Sequence, residues 1–98
     1  MYVPVVVLGE LYYGAFNSGR VQANLARIDR FALDMAVLTG NKGTAREYGQ
    51  IEKALRNNGR PIPENDMWIA AIARQRDLIL AIRDNHFSHV DNLKYEMW

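Results

Sequence analysis

Three carboxylates in this 98-residue chain stand at the boundaries of apolar segments rather than on solvated faces. Asp66 lies in Pro63-Glu64-Asn65-Asp66-Met67-Trp68-Ile69-Ala70-Ala71, at the mouth of a stretch that is apolar on nearly every side. A helix of that composition belongs in a core, and a charge at its start costs free energy unless something binds it. Glu10 follows Val5-Val6-Val7-Leu8-Gly9, and Asp84 follows Leu78-Ile79-Leu80-Ala81-Ile82-Arg83. Carboxylates that converge repel one another, which raises a pKa or recruits a cation. Oxygen donors of this kind suit Mg2+ or Mn2+, with waters and phosphate oxygens completing the shell. Metal-assisted hydrolysis of a phosphodiester is the chemistry such a cluster serves best.

Each acid also has a plain structural explanation. Asn65 or Asp66 can act as an N-cap, the usual role of Asx residues before a helix. Glu10 at a helix start is favoured by the macrodipole. Asp84 can pair with Arg83 or cap the turn at Asn85. Spacing alone leaves both readings open.

The elements that must position these acids follow from apolar runs and their punctuation. Residues 2–8 read as a strand buried on both faces, the type found in parallel sheets. Helical spacing then links Leu11 and Ala15, and after a break at Asn17-Ser18-Gly19 it links Val21, Leu25 and Ile28, with Phe31 and Ala32 closing the stripe. Met35-Ala36-Val37-Leu38 is a short strand, and Gly40-Asn41-Lys42-Gly43 turns the chain. Thr44 and Glu47 have the spacing of a capping box for a helix with Tyr48, Ile51 and Leu55 on one face. That helix ends at Asn57-Asn58-Gly59, and Pro61 and Pro63 stiffen the entry to the next, from about Asn65 to Arg76. A strand over Leu78–Ile82, a turn through Asn85-His86-Phe87 and a last strand near Leu93–Tyr95 complete the chain. Strands alternating with helices predict an α/β fold with a parallel sheet.

Ninety-eight residues predict one domain spanning 1–98, with a hydrophobic fraction of 49% to build its core. With no cysteine, disulfides and thiolate metal sites are excluded. The opening MYVPVVVLGEL lacks the basic start of a secretory signal, and no stretch has the roughly 20 apolar residues of a membrane span, so the cytoplasm is expected. A net charge of +1 neither demands nor forbids nucleic acid.

Other constellations carry less. His86 and His89, flanked by Asp84 and Asp91, lack the helical spacing of a zinc pair. Gly40-Asn41-Lys42-Gly43-Thr44 is too short for a phosphate loop and reads as a turn into a capped helix. Tyr12, Tyr13 and Trp68 are better placed in a core than as stacking platforms. Arg20, Arg27 and Arg30 form either a basic face toward RNA or a solvated face, and the second is the simpler reading.

Three segments resemble the PIN-domain ribonucleases, above all the VapC-type toxins of bacterial toxin–antitoxin pairs: Val7-Leu8-Gly9-Glu10-Leu11-Tyr12-Tyr13-Gly14, then Gly59 through Ala71, and Arg83-Asp84-Asn85-His86-Phe87. They stand in the family's order and spacing, and the likeness extends from about Val5 to Trp98. The resemblance implies a PIN-like three-layer α/β/α fold with a parallel sheet. It implies that Glu10, Asp66 and Asp84 are catalytic metal ligands for Mg2+ or Mn2+, with Asn65 in support. It implies cleavage of RNA and a small antitoxin as protein partner.

Two features depart from the family pattern. The family opens with a strand ending in Asp-Thr-Asn and one or two helices before the Glu10 segment, so the chain is expected to be N-terminally truncated, without that strand and its metal-binding aspartate. Ile82 stands where the family has Thr or Ser. A missing central strand would leave flanking strands with unpaired amides, which predicts a tight homodimer or an exchange of elements between chains. The alternative reading keeps the fold without catalysis: a catalytically impaired, dimeric binding partner, for instance of an antitoxin.

Overall fold

Pro4 splits the N-terminal apolar run in two. In the computed structural model, which describes residues 2–82 and 86–97, β1 covers only Tyr2–Pro4 and the helix α1 runs Val5–Phe16. The strand expected over 2–8 is corrected in its second half, and Glu10 stands in the second turn of a helix rather than just after a strand. Four apolar residues in a row do not distinguish a buried strand from a helix, and the β preference of valine yields to the longer context.

The chain forms two compact units, Met1–Thr39 and Gly40–Trp98. In the first, α1 is followed, after the expected break at Asn17-Ser18-Gly19, by α2 (Val21–Leu33) and β2 (Ala36–Leu38). β1 and β2 pair in parallel with Val3 opposite Val37. The break is held by its own side chains: Ser18 Oγ donates to the Ala15 carbonyl at 2.6 Å and accepts from Asn24 Nδ2 at 2.9 Å. Tyr12 Oη donates to Asp29 Oδ1 at 2.5 Å, a second tie between α1 and α2. Val3, Ala15 and Leu38 are buried. Phe31, expected in the apolar stripe of α2, is 46% exposed. It lies one turn after Arg27 and off the line of the half-buried Leu25, Ile28 and Ala32.

The second unit contains α3 (Lys42–Asn57), α4 (Glu64–Gln75), β3 (Leu80–Ile82), a short 3-10 helix (His86–His89) and β4 (Tyr95–Met97). β3 and β4 are parallel, Leu80 facing Tyr95. The last strand thus starts where the expected one ended, because Leu93 turns into the core ahead of it. Ile51 and Leu55 of α3 pack with the buried run Ile69–Ala73 of α4 as this unit's apolar centre. Parallel strands joined through helices make the fold α/β, as the alternation predicts.

Both α-helices of the second unit stop in the same way. After α3, Gly59 takes a φ of 65°, and the amides of Gly59 and Arg60 donate back to the carbonyls of Arg56 and Leu55. After α4, Asp77 takes a φ of 54°, and the amides of Asp77 and Leu78 return to Arg74 and Ala73. This double return is the Schellman arrangement, for which glycine carries no Cβ penalty. Asp77 takes the same conformation while its carboxylate meets Lys94 Nζ at 3.0 Å. Among the described residues, no helix is long and apolar enough to cross a membrane.

Candidate active site

α4 begins one residue earlier than its sequence suggests. Pro63 occupies the N-cap position and offers no side-chain cap, so Asp66 is not an N-cap but the third residue inside the helix. Glu64 and Asp66 both fall in the first turn, where the positive end of the helix favours carboxylates. Beyond them, Met67 and Ile69 through Ala73 are buried. Asp66 is half-buried and Asn65 exposed, so the acid is carried at the solvent end of an element whose remainder is core.

Trp68, two residues on, stacks against Tyr48 of α3 with ring centroids 4.1 Å apart and planes at 22°. The aromatic residue expected in the core is thus half-buried and paired. An offset stack of this kind adds about 0.5–1.5 kcal/mol beyond area burial. The Tyr48 phenol sits above its ordinary pKa of 10.0, chiefly through burial, then through the charges of Glu52 and Glu64, with Arg56 opposing. A pKa raised on folding means stability that is whole below pH 10 and is lost as pH climbs through the folded value. Tyr12 is shifted in the same direction, first by its bond to Asp29. Urea midpoints measured from neutrality upward should therefore hold steady and then fall above about pH 10. Tyr48→Phe should flatten part of that fall; an unchanged alkaline limb would contradict the assignment.

Two polar assemblies hold α3 and α4 together. Arg74 Nε donates to Glu47 Oε2 at 2.6 Å, Nη1 to the Asp91 carbonyl at 3.1 Å, and Nη2 to Gln50 Oε1 at 3.2 Å. At the start of α3 the capping box uses Asn41 and Thr44, not Thr44 and Glu47. Asn41 Oδ1 accepts the Thr44 amide at 3.1 Å, and Thr44 Oγ1 accepts the Asn41 amide at 3.1 Å. Asparagine caps at least as well as threonine, which moves the start upstream and releases Glu47 to Arg74. The fully buried Thr44 hydroxyl donates to Gln75 Oε1, and Gln75 Nε2 donates to Asn41 Oδ1 at 2.8 Å. Gly43 suits this closeness: a Cβ there would lie 2.7 Å from Gln75 Nε2 and 3.3 Å from Asn41 Oδ1, so the Gln75 side chain would have to shift.

Arg60, in the loop before α4, has its Nη1 3.3 Å from His89 Nδ1 of the 3-10 helix. This pairing, like the Arg74 clamp and the Tyr48–Trp68 stack, joins residues distant in sequence and left no local signal.

The acids singled out by sequence are distributed as follows. Glu10 lies in the first unit, exposed on α1, with no hydrogen-bond or ion-pair partner among the described residues. Asp66 lies in the second unit. Asp84 is outside the described residues. Among the described residues, no three His, Asp or Glu side chains gather as a metal ion needs. The donor chemistry of these acids is definite. It consists of carboxylates alone in a chain without cysteine, and Glu10's oxygens are uncommitted to any described residue. Such a set fits a hard divalent cation and does not fit a soft one.

Comparison with known proteins connects these features. The PIN domain matches residues 1–93. Ribonuclease VapC2 of Haemophilus influenzae is 36% identical, the match covering 100% of this chain and 75% of that protein. A tRNA(fMet)-specific endonuclease VapC of Shigella flexneri is 37% identical with the same coverage. Among solved structures, DNA-bound VapBC from Salmonella typhimurium aligns with a TM-score of 0.93 at 30% identity, covering 100% of this chain and 75% of that one.

Proposed function

Because the chain belongs to the PIN-domain family, and within it to the VapC group, we propose that it is a metal-dependent endoribonuclease, the toxin of a toxin–antitoxin pair. The observation that carries this reading is Asp66 at the head of the buried helix α4, within the Pro63–Ala71 segment on which the family likeness rests most specifically. Residues 1–98 act in it as one PIN-like domain, and a VapB-type antitoxin is the protein partner, as in the VapBC complexes.

Glu10, Asp66 and Asp84 would hold Mg2+ or Mn2+, with Asn65 in support. When bound, the ion supplies charge neutralisation at the scissile phosphate and a lowered pKa for its water. Asp66 offers its carboxylate from a turn whose position is set by the packed remainder of α4. Glu10 brings an exposed carboxylate on α1 that no described residue engages. The active species is a homodimer in this reading.

The test is cleavage of end-labelled RNA by the purified full chain. Cleavage in Mn2+ or Mg2+, its loss in EDTA and its return on adding either ion are expected. Cleavage that survives EDTA overturns the metal-dependent reading. Absence of cleavage with both ions supports a binding protein in place of a nuclease.

A further inference from the structure

The first unit carries a surface for which neither the fold nor the proposed acids account. Between α1 and α2 lies a depression of about 220 Å3 lined by Gly14, Ala15, Asn24, Arg27 and Ile28. The space beside Gly14 is open, since a Cβ at that position would meet nothing within 4 Å. Its floor is apolar, from Ala15 and Ile28. One wall carries the exposed Arg27, whose guanidinium has no hydrogen-bond or ion-pair partner among the described residues.

The groups around it are ordered. Asn24, Arg27 and Phe31 follow one another at spacings of three and four residues, so they share a face of α2. Asn24 Nδ2 is committed to Ser18 Oγ, which fixes the side chain and leaves its amide oxygen as an acceptor. Phe31 presents a ring that is 46% exposed. Arg20 and Arg30, at or near the two ends of the same helix, are also exposed and unpaired among the described residues. Arg20 and Arg30 are separated by ten positions, or about 15 Å of helix rise.

We propose that this α2 face, with Arg27 at its centre, is a docking surface for single-stranded RNA. The inference rests on the ribonuclease reading and deepens it by naming substrate-holding residues other than the three acids. Arg27 takes a backbone phosphate, its planar fork matching two phosphate oxygens. The oxygen of Asn24 accepts from a ribose hydroxyl or a base amino group in the depression. Phe31 stacks on a base, and Arg20 and Arg30 extend the cationic track along the strand. An acidic peptide would satisfy the arginines but would leave the ring and the acceptor-lined hollow without a use. RNA occupies all of them.

The test uses the full chain in EDTA with a fluorescent oligouridine RNA, read by anisotropy at several salt concentrations. Arg27→Glu should weaken binding at least about tenfold, and Arg27→Gln should do so less while lowering the salt slope by roughly 0.7, the value for one contact to a single strand. Phe31→Ala should lose affinity with little change in slope. Thermal melts of the variants monitor folding, and ultraviolet cross-linking of RNA to the wild-type chain should label the peptide containing Phe31. If the wild-type chain binds RNA and both Arg27 variants bind equally well, the docking surface is wrong and the ribonuclease reading stands. If the wild-type chain binds no RNA, both fall. Arg27-dependent binding of polyglutamate in place of RNA would assign the face to an acidic protein and overturn the proposal.

Discussion

Asp66→Asn is expected to reduce metal-dependent RNA cleavage by about a hundredfold or more, on the scale of losing one electrostatic partner of the reacting group, while the chain stays folded. The substitution preserves shape and removes one negative charge from the oxygen-donor set. The macrodipole share of its structural cost is about 0.3–1 kcal/mol, as for any carboxylate in the first turn of a helix. Glu64 supplies the control. It lies in the same first turn of α4, so Glu64→Gln should lose comparable stability and retain cleavage. Rates, calorimetric Mn2+ titrations and melting curves for the two variants separate the explanations. Equal activity in Asp66→Asn and the wild-type chain would remove Asp66 from the reaction and reduce it to a helix-start acid.

Arg74→Ala is expected to cost about 2–3 kcal/mol of folding free energy. Exposed ion pairs contribute little, but this guanidinium is not one of them: its side chain is only 16% exposed and it makes three bonds to two other segments. Breaking a fully buried pair costs about 3–5 kcal/mol, and the figure here is discounted because Glu47 retains 29% exposure. Against the 5–15 kcal/mol typical of a domain, the loss is large. Arg74→Lys should restore only a small part of it, since an ammonium cannot replace the fork that reaches Glu47, Gln50 and Asp91 together. Urea titrations of Arg74→Ala, Glu47→Gln and the double variant give the coupling. A coupling near zero would show that the Arg74–Glu47 pair adds nothing to the hold between α3 and α4.

Much of the architecture was legible because apolar runs and turn residues agree. The Asn17-Ser18-Gly19 break, the strand through Val37, the helix ending at Gly59 and the buried α4 all stand where pattern places them, and the PIN-like α/β fold is the fold observed. The errors have local causes. Val5 through Leu8 carry no period, so strand and helix were indistinguishable until the chain's longer packing decided. Asn41 and Thr44 both qualify as caps, and the upstream one prevails because Glu47 is drawn to Arg74, twenty-seven residues away. Asp66 is proposed as a site residue because a charge beside an apolar run is unusual. The raised pKa of Tyr48 had no such signal, because its environment is made by Trp68 and Glu64 from another helix.

The ties between α3 and α4 also calibrate the acid. Thr44 meets Gln75, Glu47 meets Arg74 and Tyr48 meets Trp68, so contacts descend α4 as they ascend α3. Asp66 is nine residues from Gln75, about 13.5 Å along the axis. A slip of one residue would translate the carboxylate by about 1.5 Å and swing it by about 100°, while uncoupling every one of those ties at once. Gradual drift is therefore unavailable to it: the acid is held at one setting, and leaves that setting only when the helix pair comes apart.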